Sequence, residues 1–201
     1  MKTFAYAAFA AAALCATSAH ADTWSGPSVG VQGGWTHNSV NDPTTAVGPT
    51  DLHANKDSGT VGAFVGYDYK LAPRVVVGAQ AELNFPFSGR ITDGATTIQP
   101  KRSIDLSVRA GYLVDPSTLL YARGGYVNQR EHTYTDATVP AYYGRGNQNG
   151  WMLGAGVERA ITPNVTGRLE YRYTDLADGH GYPESGKWDR HQVLAGVAYH
   201  F

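Results

Sequence analysis

Apolar and polar residues alternate along eight separate stretches of this chain, and in each stretch one face is aliphatic or aromatic almost throughout. The clearest is the last. Over residues 193–201, Val193, Ala195, Val197, Tyr199 and Phe201 fall on one face of an extended strand, and Leu194, Gly196, Ala198 and His200 on the other, as a period of two requires. The same pattern predicts strands over 28–36, 60–70, 75–85, 103–112, 120–126, 151–158 and 165–174. The fifth is the least regular, because Leu119, Leu120 and Tyr121 run together; its phase assigns Arg123 to the inner face and Ala122, Gly124 and Tyr126 to the outer one.

The connections alternate too. Three are short and carry a proline: Leu71-Ala72-Pro73-Arg74, Val114-Asp115-Pro116-Ser117 and Ile161-Thr162-Pro163-Asn164. Proline fixes φ and withholds a ladder donor, so each reads as a tight turn. The other four, 37–58, 86–101, 131–149 and 175–189, are long and polar, with the residues of loops. Short turns at one end, long loops at the other, an even strand count and strands of about 9–11 residues describe an antiparallel barrel in a bacterial outer membrane. The expected fold is all-β: an eight-stranded antiparallel up-and-down transmembrane β-barrel, with loops extracellular, both termini periplasmic and the first strand beside the last.

Charge patterning decides which face is the lumen. The polar faces carry Asp68, Lys70, Glu82, Asp105, Arg109, Glu158, Arg168, Glu170 and Arg172. Ionic groups facing hydrocarbon are costly, so these point inward, the reverse of a lipocalin-like soluble barrel with an apolar interior. Glu82, Asp105, Arg109, Arg123, Glu158, Arg168, Glu170 and Arg172 are the expected lumen charge network, filling a space only wide enough for side chains. Aromatics support this orientation: Trp35, Phe85, Tyr126, Trp151, Tyr173 and Trp188 lie at the loop ends of strands, and Tyr69, Tyr112, Tyr199 and Phe201 at the turn ends. Two interfacial girdles result.

The N-terminus adds the route. Residues 1–21 hold an early Lys2, an apolar run and Ala19-His20-Ala21, a secretory signal peptide cleaved after Ala21. Residues 22–201 are then the barrel domain. Lipidation at Cys15 fits poorly, because Leu14 stands where a small residue is required. Cys15 is the only cysteine, so the exported domain has no disulfide and relies on its core or on the membrane. Sixteen basic residues less Lys2, against 17 acidic ones, leave a net charge of −2, which offers no field for nucleic acid.

Further candidate chemistry is sparse. His37, His53, His132, His180 and His191 lie in or beside the long connections and His200 at the periplasmic end, without metal-ligand spacing such as H-x₃-H. They read as solvated side chains, with haem or metal capture as the alternative. Asp189, His191 and nearby Ser185 lack a nucleophile elbow, and the chain reads as non-enzymatic. Tyr142-Tyr143, set among Gly, Asn and Arg, is a candidate for surface adhesion. No catalytic, metal or cofactor site is assigned.

Several motifs then occur in order: Gly30-Val31-Gln32-Gly33-Gly34-Trp35, Val65-Gly66-Tyr67, Arg109-Ala110-Gly111-Tyr112, Tyr121-Ala122-Arg123-Gly124-Gly125, Gly154-Ala155-Gly156-Val157-Glu158, Leu169-Glu170-Tyr171-Arg172-Tyr173, and the terminal strand to Phe201. With them the chain resembles, over essentially its whole exported length, the small outer-membrane β-barrel proteins, the opacity-protein-like and porin-family surface antigens of Gram-negative bacteria. The resemblance implies a role in envelope integrity and surface interaction. It implies surroundings of outer-membrane lipid and lipopolysaccharide, contact with host surfaces or other envelope proteins, and a C-terminal signal, Tyr199 and Phe201, read by the barrel-assembly machinery. A narrow porin-like channel, a haem- or ligand-binding or adhesion protein, and a lipid A-modifying enzyme are the alternatives. It carries over no catalytic residues.

Overall fold

Each alternating stretch becomes part of one closed sheet. The structure, a computed structural model, describes residues 23–42, 52–87, 91–93, 96–135, 142–177 and 187–201, with side chains over 23–39, 57–87, 102–130, 148–176 and 189–201. The proposed signal peptide and Ser185 lie outside the described residues. The strands are β1 (Gly26–Asp42), β2 (Leu52–Ala72), β3 (Val75–Phe87), β4 (Ile91–Asp93), β5 (Thr96–Asp115), β6 (Thr118–Thr135), β7 (Tyr142–Thr162), β8 (Val165–Ala177) and β9 (Lys187–His200). Every pairing is antiparallel, β1 lies beside β9, and pairing of β3 with β5 closes the ring. β4 pairs only with the far end of β5, Ile91 opposite Ile98, so the barrel itself has eight strands. A closed ring leaves no edge to be satisfied in lipid.

The three proline turns each leave two residues between strands. At the second, the Asp115 carboxylate accepts the Ser117 amide at 2.8 Å and its hydroxyl at 2.7 Å, a local bond that fixes a turn.

The strands are longer than the alternation predicts. β2 and β7 have 21 residues and β5 has 20. β1 and β2 remain paired out to Asp42 opposite Leu52, well inside the segment 37–58 that reads as loop. At about 3.3 Å per residue such a strand reaches roughly 70 Å, more than a tilted crossing of a ~30 Å hydrocarbon layer needs. The extra ladder stands outside the membrane. Backbone hydrogen bonding, which needs no alternation of apolar and polar residues, extends the hairpins there.

Within the membrane the faces separate cleanly. Leu106 and Val108 are 56% and 66% exposed, whereas Ser107 and Arg109 are 6% and 8%. Apolar side chains outside and polar ones inside is the arrangement for a lipid solvent. Trp35, Phe85, Tyr126 and Trp151 stand exposed toward the loop end, and Tyr69, Tyr112, Tyr199 and Phe201 toward the turn end. Tyr173 tilts against Trp151, ring centroids 5.6 Å apart; the Trp188 side chain is outside the described set. On β6, Leu119, Tyr121 and Arg123 point in and Leu120, Ala122 and Tyr126 out, as the phase of that strand predicts.

The one apolar cluster in the interior sits at the turn end among the described residues: Trp24, Val76, Leu113, Leu119 and Tyr121, with Ala160 packed against it. Trp24 precedes β1 and folds back into the mouth. Gly26 makes this turn at φ +124°, a left-handed conformation that a side chain would strain, and a Cβ there would also sit 3.3 Å from the Phe201 carbonyl oxygen. The indole Nε1 donates to the Pro116 carbonyl at 3.0 Å, and Thr23 Oγ1 to that of Pro163 at 2.8 Å. The N-terminal segment is thus strapped across two turns.

Candidate functional site: an ion-paired lumen

The inward phase of seven strands brings five carboxylates, Asp68, Glu82, Asp105, Glu158 and Glu170, and five guanidinium groups, Arg109, Arg123, Arg168, Arg172 and Arg190, into the lumen, all buried. Nearest the turn end, Arg109 holds Asp68 with both forks, Nε at 2.8 Å and Nη2 at 2.7 Å, while its Nη1 donates to Glu158 at 2.6 Å. Glu158 also accepts the Thr166 hydroxyl at 2.6 Å and faces His200 Nε2 at 3.4 Å.

Glu82 occupies the centre and faces three cations: Arg123 at 2.6 Å, Arg172 at 2.9 Å and Arg168 at 3.7 Å. Arg172 continues to Glu170 at 2.7 Å and to Asp105 at 3.3 Å. Arg123 reaches Glu170 at 3.1 Å and the Ser107 hydroxyl. Arg168 donates to Gln32 at 2.5 Å and Gln80 at 3.0 Å, with its guanidinium 3.7 Å from the centroid of the Phe64 ring. Arg190, toward the loop end, donates to Gln129 at 2.7 Å. Neutral amides complete the shell, as Gln32 donates to Glu82 and Asn84 and Asn84 to Asp105, each at 2.8 Å. Desolvation of so many charges is tolerated because each carboxylate meets at least one cation, although Asp105 Oδ1 and the Nε atoms of Arg123 and Arg190 are buried without a hydrogen-bond partner.

Glycine sets the reach of these bonds. Asp68, Gly78 and Arg109 stand side by side on β2, β3 and β5, so the ion pair passes over the middle strand. A Cβ on Gly78 would overlap the Asp68 carboxylate. Tyr121, Gly156 and Glu170 repeat the device on β6, β7 and β8; the phenol donates to Glu170 at 2.7 Å, and a Cβ on Gly156 would lie 2.7 Å from the phenol oxygen. Inward glycines therefore let partners two strands apart meet, tying the sheet across its ladders.

All eight residues of the expected charge network lie in this lumen. Asp68, Gln32, Gln80, Asn84, Phe64, Tyr121 and Arg190 complete it. All but Arg190 share the inward phase of a predicted strand, which marks a position as internal without saying what it bonds; Arg190 precedes the last alternating stretch. Trp24 lies outside any alternating stretch and gave no signal. His200 is buried rather than solvated, edge-on to Trp24 with centroids 6.5 Å apart.

The outer rim holds the other histidines that the structure describes. His37 Nδ1 meets Asp57 at 2.7 Å, and His191 Nδ1 meets the Tyr171 hydroxyl at 2.7 Å. Asp189 accepts the Tyr173 hydroxyl at 2.5 Å, so Asp189 and His191 are each engaged with a tyrosine of β8. No group of three or more His, Cys, Asp or Glu suited to a metal occurs among the described residues. The side chains of His53, His132, His180 and Tyr142-Tyr143 lie outside the described set.

Comparison with known proteins agrees with this geometry. The chain is 29% identical over 211 residues to the 31 kDa outer-membrane immunogenic protein of Brucella melitensis, covering 92% of this chain and 88% of that one. It is 29% identical to Outer membrane protein A of Escherichia coli O157:H7, covering all of this chain and 55% of the relative, so it spans about half of that protein. Among solved structures, the attachment invasion locus protein Ail of Yersinia pestis superimposes with a TM-score of 0.51 at 14% identity, over 87% of this chain and 99% of Ail, a likeness of fold. The model of the outer membrane protein beta-barrel domain matches residues 7–201, and the chain belongs to that family of bacterial outer-membrane barrels.

Proposed function

We propose that this outer-membrane barrel is a closed, non-catalytic anchor: its ion-paired lumen contributes stability and envelope integrity, and its extended outer hairpins make surface contacts. The observation that carries the reading is the buried network in which five carboxylates are paired by four guanidinium groups, with Arg190 bonded to Gln129 beside them. In an eight-stranded ring the interior is only side-chain wide, and these side chains occupy it from the Trp24 cluster upward. The surface role is supported by strands of up to 21 residues that carry the ladder beyond the membrane and by the immunogenic designation of the Brucella relatives. The same reading has residues 1–21 removed after Ala21, outer-membrane lipid and lipopolysaccharide around the apolar band, and Tyr199 and Phe201 recognised by the assembly machinery.

Planar-bilayer recording tests closure. The purified wild-type barrel gives no steady single-channel conductance, and Arg109→Ala or Glu170→Ala, which each remove a partner from the network, admit at most brief openings. Steady conductance by the wild type overturns the anchor reading and favours a narrow porin-like channel.

A further inference from the structure

At the loop end of the lumen, beyond the ion-pair network, a small cavity of about 30 Å³ lies among residues of β1, β2, β3, β5, β6 and β9. Its lining consists of hydroxyls, amides, a proline and two arginines, with no carboxylate among the described residues. Of the two arginines, Arg102 is exposed and Arg190 is 8% exposed. The Arg190 guanidinium makes one hydrogen bond among the described residues, from Nη1 to the neutral Gln129 at 2.7 Å, and its Nε is buried without a partner. The charges that act on it, Asp105 and Arg172, do so from beyond ion-pair distance. Asp105 Oδ2 is itself engaged by Arg172 at 3.3 Å and by Asn84 at 2.8 Å. Each of the other four lumen arginines has a carboxylate within 4 Å. A buried charge without one is costly, and a counter-ion relieves that cost.

We propose that this cavity binds one monatomic anion, a halide such as chloride taken up from the medium outside the cell, with Arg190 as its charge partner, an activity separate from the anchor role. Size makes the choice of ion. A water molecule needs about 10–15 Å³ of such space, so the cavity takes a single halide with little beside it and is too small for the four oxygens of phosphate or sulfate. The neutral groups adapt to an anion. Gln192 Nε2 donates to Thr36 Oγ1 at 3.1 Å and leaves Gln192 Oε1 buried without a partner; with the amide turned over, that oxygen accepts the Thr36 hydroxyl and Nε2 becomes a donor for the ion. Affinity is on the order of 10 mM, as one or two charge-assisted hydrogen bonds supply.

The folded exported chain in detergent micelles is titrated with sodium chloride, with sodium gluconate holding the ionic strength constant, and the Arg190 Nε–H resonance is followed by NMR. Chloride and bromide give saturable shifts, and sodium sulfate at the same ionic strength gives none. The chlorine resonance of the solution broadens in the presence of wild-type barrel, and R190Q, which keeps an amide but no charge, reduces that excess width by about tenfold or more. Should R190Q fail to fold, wild-type crystals soaked in sodium bromide give the second reading, an anomalous-scattering peak in the cavity beside Arg190. The proposal is overturned by absence of saturation, by an equal shift from sulfate, by unchanged chlorine broadening with folded R190Q, or by a cavity without the bromide peak.

Discussion

At the scale of single residues, the lumen shows why arginine outnumbers lysine there. Arg172 is wholly buried and places its Nε and two Nη groups on Glu82, Asp105 and Glu170 together; an ammonium presents one point charge and cannot span the three. Arg172→Lys is therefore expected to destabilise the barrel nearly as much as Arg172→Ala, by about 3–5 kcal/mol, the cost of leaving buried carboxylates without their partner. Urea unfolding in lipid vesicles reads this directly, and a lysine variant within 1 kcal/mol of wild type, about the worth of an exposed ion pair, would contradict it. Gly78 makes the complementary case. Its substitution by alanine adds one methyl group, normally a small stabilisation in a strand, but here the methyl meets the Asp68 carboxylate. The Asp68–Arg109 pair must open, and Gly78→Ala should lower stability by about 2–4 kcal/mol. An Asp68→Asn, Gly78→Ala double variant losing no more than Asp68→Asn alone would locate the effect in that pair.

At the scale of elements, β9 shows both what a strand's sequence discloses and what it withholds. Its alternation places Val193, Val197, Tyr199 and Phe201 outside and Leu194, Ala198 and His200 inside, all legible from the period of two. The neighbours were legible through the turns: three proline turns and four polar connections leave β9 only β8 and β1 to pair with. The bonds of the lumen were not legible, because Glu82 finds Arg123, Arg168 and Arg172 through the curvature of the ring, a property of eight strands that no one strand contains. Strand ends were misjudged for a related reason: beyond the membrane the ladder between Asp42 and Leu52 is held by backbone groups that every residue carries. Phe201 tests the remaining claim about this element. Its amide donates to the Pro27 carbonyl at 3.1 Å and its ring meets Tyr199 edge-on at 5.0 Å, contacts too few to sustain a whole barrel. Deleting Phe201 is expected to leave export intact while reducing the outer-membrane level several-fold, measured by fractionation. Refolding of the purified variant in vesicles should stay near wild type. Normal outer-membrane levels would remove the assembly-signal role, and failed refolding in vitro would make Phe201 structural instead.

At the scale of the whole molecule, closure and filling act together. Pairing of β3 with β5 and of β1 with β9 leaves none of the eight barrel strands with hydrogen bonds that can be opened one at a time from an edge. The charge network links strands that are not ladder neighbours, such as Gln32 on β1 with Arg168 on β8 and Arg172 on β8 with Glu82 on β3. Losing any one ladder strains these cross-links, and losing the cross-links leaves buried charges without their partners, so the barrel should open as a unit with a high barrier. A detergent that unfolds ordinary domains at room temperature would then merely coat the apolar band. In SDS without heating, the chain is expected to keep its sheet and migrate apart from the boiled form, which runs near the mass of the unfolded exported chain. The Arg172→Ala barrel, lacking the residue that joins three carboxylates, should convert at a temperature well below wild type when samples are heated in steps before the gel. Identical migration of heated and unheated wild-type protein would deny the closed sheet this resistance. A variant converting together with wild type would show that the ladders alone supply it and that the lumen charges contribute filling without cohesion.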